Sequence, residues 1–149
     1  MSYTPTNRTY VLQLRRTIKV PLQRLYQAME RDEDRSAWLH CNTTVQPVIG
    51  GMFQSANGAD AEFLELHPHE LWRLEWKNPR HKPGSEVVIK FVKNGRWETT
   101  IYVRHWRIRC KSDYEELHNG WRRVLDSLET YLERGQFEDS DPDVPHSAL

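Results

Sequence analysis

The chain has 149 residues, which is the size of one domain with a hydrophobic core of its own. Lys plus Arg and Asp plus Glu each number 21, so the net charge is zero, and the basic excess typical of binding to nucleic-acid phosphates is missing. Two cysteines are too few for a disulfide scaffold, and no apolar run is long enough to cross a membrane. Because the polar N-terminus does not resemble a signal peptide, we expect a cytoplasmic protein.

The first part of the chain predicts one strand and two short helices. Apolar and polar residues alternate over residues 9–20, which is the period of a half-buried strand. Pro21 ends that strand and suits a first helical turn, and apolar residues within 22–29 then share one helical face. The charged residues 30–35 predict a solvated turn, which leads into a second short helix ending near residue 39.

From residue 43 the pattern changes to short strands separated by turns. The dipeptides Gly50-Gly51 and Asn57-Gly58 are typical of turns or bulges, and the second is a strong hairpin signal. Four β-rich segments follow, at residues 59–66, 71–76, 85–93 and 97–108. Because they succeed one another so closely, they favour an antiparallel meander over parallel strands joined by helices.

The clearest helix comes last. Ser112 and Glu115 match the pattern of a capping box and predict that each side chain bonds to the other residue's backbone amide. One face of the segment that follows is apolar and consists of Leu117, Trp121, Val124, Leu125, Leu128 and Leu132. Gly135 predicts the C-cap. We therefore expect a flexible N-terminus at 1–8, one domain at 9–135 and a disordered acidic tail at 136–149.

These elements predict an α+β helix-grip fold. About six or seven antiparallel strands would form one curved sheet, with two short helices after the first strand. The apolar stripe of the last helix must be buried, and the sheet is its only large partner. We therefore expect the sheet to curve around the long C-terminal helix and to leave an apolar cavity between them.

Several short motifs support this fold by their order and spacing. They are RTIKVP at 16–21, LYQAM at 25–29 with Trp38, GGMF at 50–53, FLELHP at 63–68 leading to Trp76, and GWRRVLDSL at 120–128. Together they resemble the heat-shock-protein-90 ATPase activator homologue family of the START-like (SRPBCC) superfamily, over residues 9–135. The resemblance implies the fold more specifically than a function, because superfamily members bind lipids, hormones or polyketides, catalyse cyclisation or hydrolysis, or act as co-chaperones.

Three functional hypotheses follow from the resemblance. The favoured one is a non-enzymatic domain, monomeric or homodimeric, that binds a small apolar or amphipathic molecule in the cavity without a cofactor. The second, which the family name implies, is a protein-interaction module that acts on a chaperone ATPase. The third is an enzyme of the cyclase or hydrolase type using the same cavity, although the sequence contains no nucleophile elbow and no cysteine–histidine signature.

Alternation along the predicted strands, and the helical stripe, indicate which residues surround the cavity. The expected lining is Arg16, Phe53, Leu64, Leu66, Trp72, Leu74, Trp76, Val87, Ile89, Phe91, Ile101, Val103, His105, Trp121, Leu125 and Leu128. The apolar members could instead fill the interior completely, because protein cores are normally close-packed. An inward Arg16 needs a carboxylate of the protein or the acidic head of a ligand, and His105 is either a similar anchor or a satisfied core histidine.

Two further features indicate no site. The turn His67-Pro68-His69-Glu70 lacks a third ligand at metal-binding spacing, so we expect no metal there. Residues 104–111 interleave cations with an aromatic ring, as proteins that bind single-stranded nucleic acid do. The zero net charge favours a solvated strand face or a protein interface instead.

Overall fold

A computed structural model of the chain describes residues 8–139, with side chains described for residues 8–134. In chain order its elements are β1 (Tyr10–Ile18), α1 (Leu22–Glu30), α2 (Asp32–Leu39), β2 (Thr43–Val45), β3 (Met52–Ser55), β4 (Ala61–His67), β5 (Leu71–Trp76), β6 (Glu86–Gly95), β7 (Glu98–Ile108) and α3 (Lys111–Asp139). The predicted order of one strand, two short helices, a run of strands and a long helix is confirmed.

Within the described residues, the strands form a single seven-stranded antiparallel sheet in the order β1-β7-β6-β5-β4-β3-β2. Strands β2 to β7 are therefore a meander in which each strand pairs with the next. Strand β1 completes the sheet by pairing with β7, where Leu14 lies opposite Val103. The first and last strands thus meet at one side of the sheet, and the short strand β2 forms the opposite edge.

Helix α3 lies on the concave face of this sheet. Four leucines of its apolar stripe, Leu117, Leu125, Leu128 and Leu132, are at most 5% exposed. They pack with buried strand residues in two hydrophobic clusters. Burial of each such side chain contributes about 1.5–3 kcal/mol, which is why the stripe holds the helix against the sheet. This arrangement confirms the predicted helix grip.

Helices α1 and α2 cover another part of the concave face. The indole of Trp72 in β5 donates a hydrogen bond to the Tyr26 hydroxyl of α1 at 3.0 Å. The indole of Trp38 in α2 donates to the Ala28 carbonyl of α1 at 2.9 Å. Both tryptophans are almost completely buried, so these bonds satisfy donors that would otherwise lie unpaired in the interior. They fix α1 on the sheet and α2 on α1.

The prediction of a solvated turn at residues 30–35 is wrong. Helix α2 begins at Asp32, and the Arg35 side chain is completely buried. Its Nε donates to the Thr43 hydroxyl at 2.9 Å, its Nη1 donates to the Met29 carbonyl at 2.8 Å, and its Nη2 pairs with the Asp32 carboxylate. A run of charged residues is usually exposed, and only the packing of α2 against β2 encloses this member of the run.

Helix α3 is also longer than predicted, because it continues through Gly135 to Asp139. Gly135 is therefore not its C-cap. A glycine inside a helix lowers the stability of the helix by about 1 kcal/mol relative to alanine, which does not by itself end the helix. Proline interrupts a helix more strongly, and the sequence contains none between Lys111 and Asp139. Residues 1–7 of the predicted flexible N-terminus, and residues 140–149 of the predicted tail, lie outside the described residues.

Strand β4 contains a bulge that changes which of its residues face inward. Phe63 and Glu65 pair with consecutive residues of β5, so Leu64 is an extra residue in the ladder. Phe63 is fully buried and Leu66 packs against the core, whereas Leu64 belongs to neither hydrophobic cluster. Strict alternation assigns Leu64 and Leu66 to the same face, and the bulge is the reason that this assignment fails.

Candidate functional site

A cavity of about 570 Å³ lies between the sheet and helices α2 and α3. Its deep wall is mostly apolar and includes Met29, Trp38, Phe53, Ala61, Trp72, Leu74, Val87 and Ile89, together with the buried polar residues Arg35 and Thr43. Cavities that bind small molecules usually have volumes of roughly 300–1,000 Å³ and walls that are mostly apolar. The size and the lining of this cavity therefore match those of a ligand site.

The mouth of the cavity is polar. The residues that line it there are His40 and Cys41 after α2, Asn57 in the β3–β4 turn, Asn78, Arg80 and His81 in the β5–β6 loop, and Glu116 and Arg123 on α3. An apolar interior with a polar rim suits a molecule whose body is apolar and whose head remains in contact with water.

The β5–β6 loop is attached to α3 across this mouth. The Glu116 carboxylate accepts hydrogen bonds from His81 Nε2 at 2.6 Å and from Arg80 Nη2 at 3.3 Å. Closer to the start of the helix, the Asp113 carboxylate accepts from the backbone amide of Lys82 at 2.8 Å. These contacts hold the β5–β6 loop against the first turns of α3.

Two tryptophans fix the tautomers of two histidines at one end of the cavity. Trp76 Nε1 donates to His81 Nδ1, and Trp121 Nε1 donates to His105 Nδ1, both at 3.1 Å. An indole N–H can only donate, so each neutral histidine accepts at Nδ1 and carries its proton on Nε2. The four rings pack together with centroid distances of 5.1–6.4 Å.

His105 is a buried neutral histidine. Burial lowers its pKa to about 3, and the nearby His81 is a smaller cause. Its Nε2 lies 2.9 Å from the Ser85 hydroxyl and, with the proton on Nε2, donates to that oxygen. A general base would have to present a lone pair to the serine proton, so the two side chains are not arranged to produce a serine nucleophile. The geometry gives His105 the role of supporting Trp121.

Arg16 is neutralised by the protein itself. Its Nη1 contacts the carboxylates of two α3 residues, Asp126 and, at 3.1 Å, Glu129. Its side chain is 25% exposed, and it is not among the residues that line the cavity. Helix α3 therefore supplies the carboxylates that an inward arginine needs, which was one of the two alternatives left open by the sequence.

The structure brings together only part of the proposed lining. The predicted residues that line the cavity are Phe53, Trp72, Leu74, Trp76, Val87, Ile89 and Trp121. Six others do not line it and pack in the hydrophobic core instead, namely Leu66, Phe91, Ile101, Val103, Leu125 and Leu128. Leu64, Arg16 and His105 also lie outside the lining. Alternation identifies the inward face of each strand, but it does not show where α3 stands away from that face.

The wall that the short helices provide was missed from the sequence. Met29, Trp38 and Leu39 line the cavity from this side, and their place beside it depends on contacts between distant segments. Gly120 of α3, which also lines the cavity, was not predicted either, although a glycine within a long helix is itself a recognisable feature of the sequence. A Cβ added at Gly120 would meet no heavy atom within 4 Å, so a glycine beside the apolar stripe of a long helix marks open space here.

Neither a metal site nor a membrane span is found in residues 8–139. No group of three or more His, Cys, Asp and Glu side chains within this range could hold a metal ion. In the 67–70 turn, His67 Nε2 contacts the Glu65 carboxylate at 2.8 Å, and the His69 ring packs 4.4 Å from the Tyr26 ring. No helix in this part of the chain combines the length and the apolar character that crossing a membrane requires.

Several solved structures share this fold. CalU16 from Micromonospora echinospora superposes with a TM-score of 0.74 at 19% identity, over 86% of this chain and 79% of that one. An HSP90 activator from Plasmodium falciparum gives 0.74 at 20% identity, over 83% and 96% of the two chains. The Aha1 dimer from Colwellia psychrerythraea gives 0.71 at 20% identity, over 85% and 98%. At these identities the likeness shows the fold alone.

A search of curated proteins by sequence finds none that matches the chain. A family profile, however, matches residues 19–133, which extend from the end of β1 into the last turns of α3. The matched range contains α1, α2, six of the strands and every residue that lines the cavity. The chain therefore belongs to the family described as Activator of Hsp90 ATPase homolog 1-like protein.

Proposed function

We propose that this domain binds one small apolar or amphipathic molecule in the cavity between its sheet and helices α2 and α3. The observation that carries the proposal is the cavity of about 570 Å³ with a mostly apolar deep wall and a polar mouth. Binding energy comes mainly from removing apolar ligand surface from water. A ligand that buries about 300 Å² gains about 7.5 kcal/mol at ~25 cal/mol per Å², before the entropic cost of association is subtracted.

The tryptophans of the wall support an apolar ligand in particular. Four of them line the cavity, Trp38, Trp72, Trp76 and Trp121, and each indole N–H already donates to a protein acceptor. The wall therefore presents ring carbons to a ligand, with no indole donor left for the ligand to satisfy. A molecule with few polar atoms in its body can enter without leaving a buried hydrogen-bonding group unpaired.

The proposal is tested with N-phenyl-1-naphthylamine, an uncharged dye whose fluorescence increases in an apolar site. We expect saturable binding of one dye molecule per protein. In Gly120→Leu the new side chain enters the open space beside α3, so we expect at least a tenfold loss of dye affinity, equivalent to about 1.4 kcal/mol. Asn119→Leu is the matched control, because it adds the same side chain at an exposed neighbouring position that does not line the cavity.

Two outcomes would overturn the proposal. One is the absence of saturable dye binding to the unmodified protein. The other is an equal effect of Gly120→Leu and Asn119→Leu, which would place the dye outside the cavity. Unfolding midpoints of both variants show whether a loss of binding reflects a filled cavity or a damaged fold.

A second candidate function is a protein-interaction module that stimulates a chaperone ATPase. The family description supports it, as do the names of the HSP90 activator from Plasmodium falciparum and of the Aha1 protein from Colwellia psychrerythraea. Exposed apolar side chains give it a physical basis: Val48 and Ile49 between β2 and β3 are 60% and 71% exposed, and Trp97 in the β6–β7 hairpin is 60% exposed.

The measurement that tests this second function is the ATPase rate of a purified Hsp90 during titration with the domain. A rise that Trp97→Ser or Ile49→Ser weakens supports it, because both variants remove exposed apolar surface without touching the core. An unchanged rate at saturating domain concentration contradicts it.

A further inference from the structure

We propose that the ligand of the cavity is an amphipathic organic anion, whose apolar body lies in the cavity and whose anionic head lies at the mouth beside Arg123. This inference rests on the proposed function, because it names the class of molecule that the same site would take. It is supported by which ionisable side chains lie at the mouth and by which of them already form ion pairs within the protein.

The ionisable side chains that line the mouth are His40, Cys41, Arg80, His81, Glu116 and Arg123. Two guanidinium groups and two imidazoles therefore face one carboxylate. That carboxylate is already occupied, because Glu116 contacts His81 at 2.6 Å and Arg80 at 3.3 Å. The deeper Arg35 does not add an available charge, since Asp32 pairs with it. The mouth is consequently electropositive, and Arg123 contributes the charge that remains.

Arg123 has no acidic partner among the residues that the structure describes. Asp126, the carboxylate three positions further along α3, is engaged by Arg16 of β1. Arg123 itself is exposed, while Gly120, Val124 and Ser127 beside it on the helix also line the cavity. Arg123 is thus an exposed residue at the edge of the apolar interior, which is where the head of an amphipathic molecule would lie.

The chemistry of the head group follows from this charge. A carboxylate or a similar anion can accept two parallel hydrogen bonds from a guanidinium, which adds geometric specificity to the attraction. An ammonium head would be repelled by Arg123, and an uncharged head would gain no ion pair. Because the rim is exposed to water, the contribution is modest, and an exposed pair of this kind changes affinity by about two- to fivefold.

The test compares two competitors with the same alkyl chain and opposite charges. Decanoate and decyltrimethylammonium are each titrated, below the concentration at which they form micelles, into the complex of the protein with N-phenyl-1-naphthylamine at low salt. The affinity of each competitor is obtained from the displacement of the dye. We expect decanoate to bind more tightly than the ammonium compound, and we expect the preference to weaken as ionic strength rises. In Arg123→Gln the ratio of the two affinities should fall by about two- to fivefold. Arg122→Gln, which removes the same charge from an exposed neighbour that does not line the cavity, should leave the ratio unchanged.

The dye separates failure of this inference from failure of the proposed function. If the dye does not bind, the proposed function fails, and the ligand class fails with it. If the dye binds but the protein does not prefer decanoate over the ammonium compound, the anionic class is wrong while the cavity remains a binding site. If Arg122→Gln and Arg123→Gln change the ratio equally, the placement of the anionic head beside Arg123 is wrong. A preference that depends on Arg123 alone supports both.

Discussion

The concave face of the sheet has two halves that the same helix covers differently. Beneath β7 and β1 the interior is filled, because Leu125 and Leu128 of α3 pack with Ile101 and Val103 in the core. Beneath β3 to β6 a cavity of about 570 Å³ is left, and the α3 residues there include Gly120. One amphipathic helix can thus both complete a core and border a cavity, because Leu125 and Leu128 fill the space on one flank while Gly120, between larger neighbours, leaves space on the other.

The open half does not collapse, because polar bonds hold its aromatic wall in place. Trp121 is supported by His105, which contacts Ser85, and Trp76 is supported by His81, which contacts Glu116. Hydrogen bonds are directional, so each indole is held in one orientation by its histidine and does not turn to fill the neighbouring space. The filled half is packed by aliphatic side chains such as Ile101, Val103, Leu125 and Leu128, whose contacts are not directional.

The largest expected difference between the halves concerns the cost of deleting a side chain. Leu128 is fully buried in the filled half, so Leu128→Ala should lower the free energy of unfolding by about 2–5 kcal/mol. Val124 is half-buried at the cavity, where the neighbouring space is already open, so Val124→Ala should cost less than about 1.5 kcal/mol. Urea unfolding measures both, and equal losses would show that the two halves are packed alike.

The polar support of the open half predicts a dependence of stability on pH. The pKa of His105 in the folded protein is about 3, below its ordinary value of 6.5, so the unfolded chain binds the proton more readily. The stabilisation is fully present above pH 6.5 and is lost as the pH falls towards 3, by up to about 1.4 kcal/mol per pH unit from this group.

His105→Gln sharpens this pH prediction. Glutamine can still accept a hydrogen bond from Trp121 or donate one to Ser85, but it does not titrate. The slope of unfolding free energy against pH between 6 and 4 should therefore be smaller in the variant. An unchanged slope would mean that the histidine is protonated in the folded protein as easily as in the unfolded one.

The smallest expected effect is a gain in stability when Gly120 is replaced by alanine. Because an added Cβ would meet no heavy atom within 4 Å, Gly120→Ala should raise the free energy of unfolding by about 0.5–1 kcal/mol, through the higher helix propensity of alanine. Thermal unfolding of the two proteins measures the difference. A loss of stability would show that the space beside this part of α3 is not open, and the contrast between the two halves would then disappear.

The elements could be predicted from the sequence more fully than the site. The predicted segments 71–76 and 97–108 match β5 and β7 closely, because alternation and turn residues are local signals. Local signals do not predict which way Leu64 faces, because the bulge in β4 arises from the pairing of that strand with β5. Arg35 is a second example, because a residue within a charged run becomes buried only when distant residues enclose it.

The order of the elements, the antiparallel meander and the burial of the α3 stripe could be predicted from the amino-acid pattern, because a period of two or of 3.6 residues is a short-range property. Contacts between distant segments determine instead which half of the concave face is filled and which charges are paired. The contact between Arg16 and Glu129 joins residues 113 positions apart, and that between Trp72 and Tyr26 joins residues 46 apart. Such distances depend on how all elements pack at once, so no local pattern encodes them.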